Sequence, residues 1–241
     1  MNGIIKFFVS IKRAADSFFE WLSAGTSGVD ASIVAQKPSL SADSDRCIPR
    51  DTVNVLDVSG SMGGFDYPPT RLDGGIKASI EYVDVRIEQS PNDRVAVVSF
   101  NSTARIVLSL TPITSKEKII SAIRNLTAGG GTDIAEGLKA AAEIFEAEPQ
   151  SNRQRHIIVL TDGHGGRPLK IAGKLKTEYG AVINVVGIAA SCGDVNESLL
   201  RKVATTDPDG FCHYRFIKDA EALSQHYRQL ATGIVRYREL K

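Results

Sequence analysis

No stretch of this chain approaches the roughly 18 uncharged apolar residues that a membrane-spanning helix needs. The longest candidate, IIKFFVSIKRAADSFFEWL, is broken by Lys6, Lys12 and Arg13. It also lacks the uninterrupted apolar segment and small-residue cleavage site of a secretory signal. An excess of one charge is missing too: 29 basic and 28 acidic residues give a formal net charge of +1. With no long Lys/Arg run, the electrostatic footprint of a nucleic-acid-binding protein is absent and no nucleic acid is expected as a partner. Cysteine is scarce and odd in number, with only Cys47, Cys192 and Cys212. In a chain large enough to fold without cross-links, this reads as reduced, intracellular thiols. Their spacing is not that of a zinc site. Cys192 is expected beyond the carboxyl end of one strand and Cys212 at the start of the next, an arrangement that argues against a disulfide between them. These absences lead us to expect a cytoplasmic protein.

What is present fits one globular domain with extra segments: 241 residues, 42% hydrophobic and 24% charged. Near the amino terminus, Ile4, Phe8, Ile11, Ala15, Phe18 and Leu22 recur at helical spacing, with Lys6, Ser10, Arg13, Ser17 and Glu20 on the other side. We assign residues 1–28 to an amphipathic helix. Its aromatics suit packing on the main domain or on a sister subunit; aromatics opposite basic residues also suit docking to a membrane surface or a partner's groove. On the second reading the protein is peripheral to a membrane. Residues 29–50, rich in Ser, Ala, Gly and Asp without a sustained period, read as a linker. Residues 51–241 form the main domain.

In that domain short β-rich runs alternate with helical periods. The strands are TVNVLDV, RVAVVSF, RIVLSL, HIIVLTD, AVINVVGIA and CHYRFI, mostly apolar on both faces, as strands covered on both sides must be. Helical stripes fall at Leu72, Ile76, Ile80, Val83 and Ile87, at Ile134, Leu138, Ala141 and Phe145, and at Ala220, Leu223, Tyr227, Leu230 and Ile234. Asp194 and Glu197 have the spacing of a reciprocal helix cap. Only NSTA joins the second and third strands, too short for a crossover but suited to a hairpin. The order βαββααβαβαβα with right-handed crossovers predicts an α/β, doubly wound, three-layer α/β/α fold. Its six-stranded sheet is mostly parallel, with one antiparallel edge strand.

Ligands of such sheets gather beyond the carboxyl ends of the strands, where the winding reverses. VLDVSGSMGG puts Asp57 at such an end, with Ser59 and Ser61 following at alternate positions that point the same way in an extended loop. HIIVLTDGHGG repeats the geometry with Asp162, and LTAGGGTDIAEGL supplies Thr132 at a helix entrance. The three glycines before Thr132 are expected to make that loop free to move. Two carboxylates and three hydroxyls from separate loops form an all-oxygen set, the ligand type of a small hard cation such as Mg²⁺ or Mn²⁺. A site rich in neutral hydroxyls leaves the ion electron-poor and ready to take an outside carboxylate.

The trio DVSGS, GGGTD and TDG, in this order and at strand ends, resembles the metal-ion-dependent adhesion site of the von Willebrand factor A domain family, over about residues 50 to 236. The resemblance implies that Ser59, Ser61 and Thr132 meet the metal and that Asp57 and Asp162 hold it mainly through waters. It implies a non-enzymatic, metal-dependent protein-binding module, an adhesion or scaffold unit, whose protein partner donates an Asp or Glu carboxylate to Mg²⁺. Another role that the resemblance allows is a regulatory subunit of an intracellular AAA+ ATPase, chelatase or signalling assembly. The long connection GGFDYPPTRLDGG after the first motif departs from the pattern, and His164 in TDGHGG is read as an exposed loop residue. A third option, a Mg²⁺-dependent phosphoryl-transfer enzyme, is weakened by absences. There is no second acid at residue 59, no G-x-x-x-x-G-K-[ST] loop, no G-x-S-x-G elbow around Ser61, and no histidine placed as its base.

Overall fold

The computed structural model describes residues 48–148, 152–163 and 165–233. The amphipathic helix, the linker up to residue 47, Cys47, His164 and Ile234 lie outside the described residues. Six strands form one sheet: β1 Arg50–Asp57, β2 Arg94–Phe100, β3 Ala104–Pro112, β4 Gln154–Thr161, β5 Val182–Ile188 and β6 Tyr214–Ile217. Their spatial order is β3-β2-β1-β4-β5-β6. All neighbours are parallel except β2 and β3, which pair antiparallel through the short Asn101–Thr103 connection with a register irregularity near Val97. The antiparallel strand therefore lies at the edge, as its connection requires.

The helices are α1 Arg71–Gln89, α2 Lys116–Arg124, α3 Ile134–Glu146, α4 Leu169–Thr177, α5 Glu197–Val203 and α6 Ala220–Thr232. They divide between the two faces. Phe100, Ile134, Leu138, Phe145, Leu175 and Leu200 belong to the core under α3, α4 and α5. Leu56, Tyr82, Ile119, Ile123, Tyr227 and Leu230 belong to the core under α1, α2 and α6. Alternate residues of β1 serve both cores, so Val53 and Val55 face one layer and Leu56 the other. That two-sided burial explains why the strands read as apolar runs. Among the described residues no helix is long and apolar enough to cross a membrane.

Helix starts follow local chemistry. Thr70, Asp133, Asn196 and Asp219 each accept a backbone N–H of the following first turn. The expected reciprocal cap at α5 is not formed: Asp194 closes a 3-10 turn, Cys192–Asp194, and Asn196 caps the helix by accepting the Leu199 N–H. Cys192 is exposed after β5, and Cys212 precedes β6; both thiols are free. The winding reverses between β1 and β4, which are neighbours although one feeds β2 and the other β5. The carboxyl ends of β1 and β4 thus share one rim, and Asp57 and Asp162 stand there.

Candidate functional site

Asp57 ends β1 with no exposed surface. Its Oδ1 accepts the Ser59 N–H at 2.8 Å and its Oδ2 accepts the Thr161 hydroxyl at 2.6 Å. Thr161 in turn accepts the Gly163 N–H at 3.0 Å. Burial pushes the Asp57 carboxyl up to about 6; hydrogen bonds from Ser59 and Thr161 pull against this, and the nearby charge of Asp162 adds to it. The Ser59 and Ser61 hydroxyls lie 3.1 Å apart, the first buried and the second exposed. Two serines at alternate positions on a loop that enters a 3-10 turn, Gly60–Gly63, thus present adjacent oxygens at the surface.

Asp162 is 2% exposed, one residue beyond β4. Its Oδ2 accepts a hydrogen bond from Nη1 of Arg71 at 3.2 Å, whereas its Oδ1 is buried with no hydrogen-bond partner among the described residues. A buried acceptor of this kind costs free energy unless a positive group or water meets it.

The third loop is tied to the first. Gly60 N–H donates to Gly130 O at 3.0 Å and Gly129 N–H to Val58 O at 2.7 Å. Asn101 Nδ2 donates to Gly129 O, Asp133 N–H to Asn101 O, and Gly131 N–H to Ser102 Oγ. Two of the three glycines serve close approach: a Cβ on Gly130, whose φ is +82°, would fall 2.9 Å from Asn101 Nδ2, and one on Gly131 2.7 Å from Ser102 Oγ, whereas at Gly129 it meets nothing within 4 Å. Thr132, half-buried, follows these contacts. The turn after Asp162 packs on it so closely that a Cβ at Gly165 would lie 2.0 Å from Thr132 O. Asp57, Ser59, Ser61, Thr132 and Asp162 are thus carried on three loops that touch one another in pairs.

Sequence reasoning missed Arg71 and Asn101. Arg71 bridges Asp162 to Asp66, bonding the latter through Nε at 3.1 Å and Nη2 at 2.5 Å. It thereby closes the long connection after the serines, in which Tyr67 is buried and Phe65 is 84% exposed. A signal existed: a basic residue in the first turn of a helix opposes the helix dipole and calls for nearby carboxylates. Asn101 carried no signal beyond a turn residue in a hairpin.

Among the described residues no three His, Cys, Asp or Glu side chains gather as an ion cage. The rim offers instead two carboxylates of one charge each and a set of hydroxyls. That donor chemistry, together with the unmet Asp162 Oδ1, fits a hard cation completed by waters.

Residues 52–164 match the family model described as von Willebrand factor type A domain. An uncharacterized protein of Synechocystis sp. is 34% identical over 170 residues, covering 68% of this chain and 37% of that protein. The calcium-activated chloride channel regulator 1 of Bos taurus is 29% identical over 180 residues, covering 74% of this chain and 18% of that protein. The chain therefore spans well under half the length of these curated relatives. Among solved structures, a von Willebrand factor type A protein from Catenulispora acidiphila superposes with a TM-score of 0.63 at 26% identity, covering 78% of this chain and 43% of that one. The vWF domain of the type V pili tip protein Mfa5 from Porphyromonas gingivalis shares the fold, with a TM-score of 0.66 at 17% identity over 80% of this chain and 98% of that one.

Proposed function

Since residues 52–164 belong to the von Willebrand factor type A domain family, we propose that the chain is a non-enzymatic protein-binding module whose rim takes Mg²⁺ or Mn²⁺ and, through it, a partner's carboxylate. Domains of this family are protein-interaction modules. The observation that carries the metal reading is the buried Asp162 Oδ1, without a partner among the described residues, on the same rim as the paired Ser59 and Ser61 hydroxyls. Ser59, Ser61 and Thr132 would give the ion neutral oxygens, with Asp57 and Asp162 supplying charge mainly through waters.

When bound, the ion supplies an electrophilic centre that attracts an Asp or Glu side chain of another protein. The chain's own residues do the rest. Asp57 fixes the serine loop by accepting the Ser59 N–H, and it holds the β4 end by accepting the Thr161 hydroxyl. With no exposed surface and both oxygens engaged, Asp57 is a poor nucleophile, which favours binding over phosphoryl transfer. Arg71 keeps one Asp162 oxygen occupied and leaves the other available.

Titration calorimetry with Mg²⁺ tests this on the wild-type chain and on the Asp57→Ala/Ser59→Ala double variant. Binding by the wild type and its loss in the double variant are expected. Equal metal affinity in the two proteins would overturn the assignment.

A further inference from the structure

A groove of about 1060 Å³ runs between α3 and α4 and begins at Asp133 and Gly166, next to Thr132. Its walls carry Lys139, Arg167 and Lys170, and Leu169 is 46% exposed beside them. Lys139 is paired with Glu136. Arg167 and Lys170 form no ion pair among the described residues, and both are exposed. The acidic groups of the groove are fewer: Asp133 is engaged in capping α3, and Glu178 stands at the end of α4.

Gly173 gives a second, independent observation. It sits in the middle of α4 and lines the groove, and a Cβ added there meets nothing within 4 Å. Glycine is the poorest helix former after proline. No neighbour requires it here, since neither a close approach nor a positive φ is involved. Its position leaves that stretch of the groove wall without a side chain.

We propose that this groove is a docking track for an acidic, apolar-containing segment of the same protein partner. Its carboxylates face Arg167 and Lys170, and an apolar side chain covers Leu169. The proposal rests on the reading of the rim as a carboxylate-taking site and extends it, because the groove starts where the rim ends. Charge complementarity selects an acidic occupant over a basic one, and the half-exposed leucine selects one that is not purely polar.

Fluorescence anisotropy with a labelled alternating Glu-Leu peptide, in Mg²⁺ and separately in EDTA, tests it against a Lys-Leu peptide. The proteins are the wild type, Arg167→Glu/Lys170→Glu, Gly173→Trp, which fills the groove, and Gly173→Ala, which leaves it nearly open. The acidic peptide should bind the wild type and Gly173→Ala alike and bind the other two about tenfold or more weakly, a change of about 1.4 kcal/mol. Mg²⁺ affinity by calorimetry should be unchanged in all four. Undiminished binding by both groove variants, or equal binding of the basic peptide, overturns the proposal. So does self-association of the wild type that Gly173→Trp abolishes, which would make a second copy the occupant. Calorimetry and the EDTA arm keep the two readings apart: a rim without metal affinity in the calorimeter defeats the metal reading, while groove binding is judged in EDTA with no contribution from the rim.

Discussion

Arg71 is the cation that meets the buried Asp162 carboxylate on the rim. Asp57 and Asp162 repel one another, and part of the rise of the Asp57 carboxyl to about 6 comes from that repulsion. Among the described residues only Arg71 Nη1 meets Asp162, at 3.2 Å. In Arg71→Gln, Asp162 stays buried without an opposite charge, a situation that costs about 1–3 kcal/mol. Urea unfolding in EDTA should show this loss, and saturating Mg²⁺ should restore most of it, because the ion supplies the missing positive charge where it binds. A loss of the same size with and without Mg²⁺ would mean that Arg71 acts only by latching Asp66. At this scale the sequence was half legible. That Asp57, Ser59, Ser61, Thr132 and Asp162 lie on neighbouring loops at one rim was legible from their spacing at strand ends, because position in a doubly wound fold is set by the hydrophobic pattern. Arg71 and Asn101 did not, because their roles arise from partners far along the chain, such as Asp162 and Gly129.

Helices α3 and α4 each contain an interior glycine, and packing gives the two opposite meanings. A Cβ at Gly137 would lie 2.8 Å from Phe100 Cδ1 and 2.9 Å from Val55 Cγ1, so this glycine lets α3 approach the sheet beneath the site. At Gly173 the same atom meets open space. Gly137→Ala should therefore destabilise by about 1–3 kcal/mol through overpacking, whereas Gly173→Ala should stabilise by about 0.5–1 kcal/mol through helix propensity and unfolded-chain entropy. Chemical denaturation of both variants checks the pair, and a shift of the same sign in each would refute the contrast. Sequence hints at the difference, since Gly137 falls among Ile134, Ala140 and Ala141 at helical spacing whereas Gly173 has Lys170, Lys176 and Thr177 on its face, but it does not give the approach distance. The misread start of α5 has a related cause. Asp194 and Glu197 have capping-box spacing, but a 3-10 turn takes up Asp194 and the nearer Asn196 side chain reaches the Leu199 N–H first.

The alternation of elements was fully readable, because two-sided apolar strands and 3.6-residue stripes are properties of short windows. The order β3-β2-β1-β4-β5-β6 and the pinning of the glycine loop depend on which elements meet, and the pattern within a window does not encode that. Whole-molecule stability also depends on such meetings, through histidines held neutral inside the fold. His156 is pushed down to about 3 by burial, with Arg50, Arg86 and His213 adding to it. His226 is pushed down to about 4 by burial, with Arg215 adding and the Gln229 hydrogen bond opposing. An unfolded histidine takes its proton near 6.5, so the stability each contributes is present above that value and is lost as pH falls toward its folded value. Each can contribute a slope of up to about 1.4 kcal/mol per pH unit. Asp57 acts in the opposite sense. With its folded value near 6 against an ordinary 3.8, its contribution is full below 3.8 and is lost as pH rises through 6. Acidification from 6.5 to 5 in EDTA, above the range in which the lowered carboxyls of Asp51, Asp66 and Glu146 come into play, thus sets two destabilising histidines against one stabilising aspartate, and the wild type should lose stability at about the slope of one histidine. His226→Gln removes one of the two, leaving His156 and Asp57 nearly balanced. Urea midpoints measured across this pH range should fall steadily for the wild type and stay nearly level for His226→Gln. An unchanged slope in the variant would mean that His226 is free to take its proton in the folded protein.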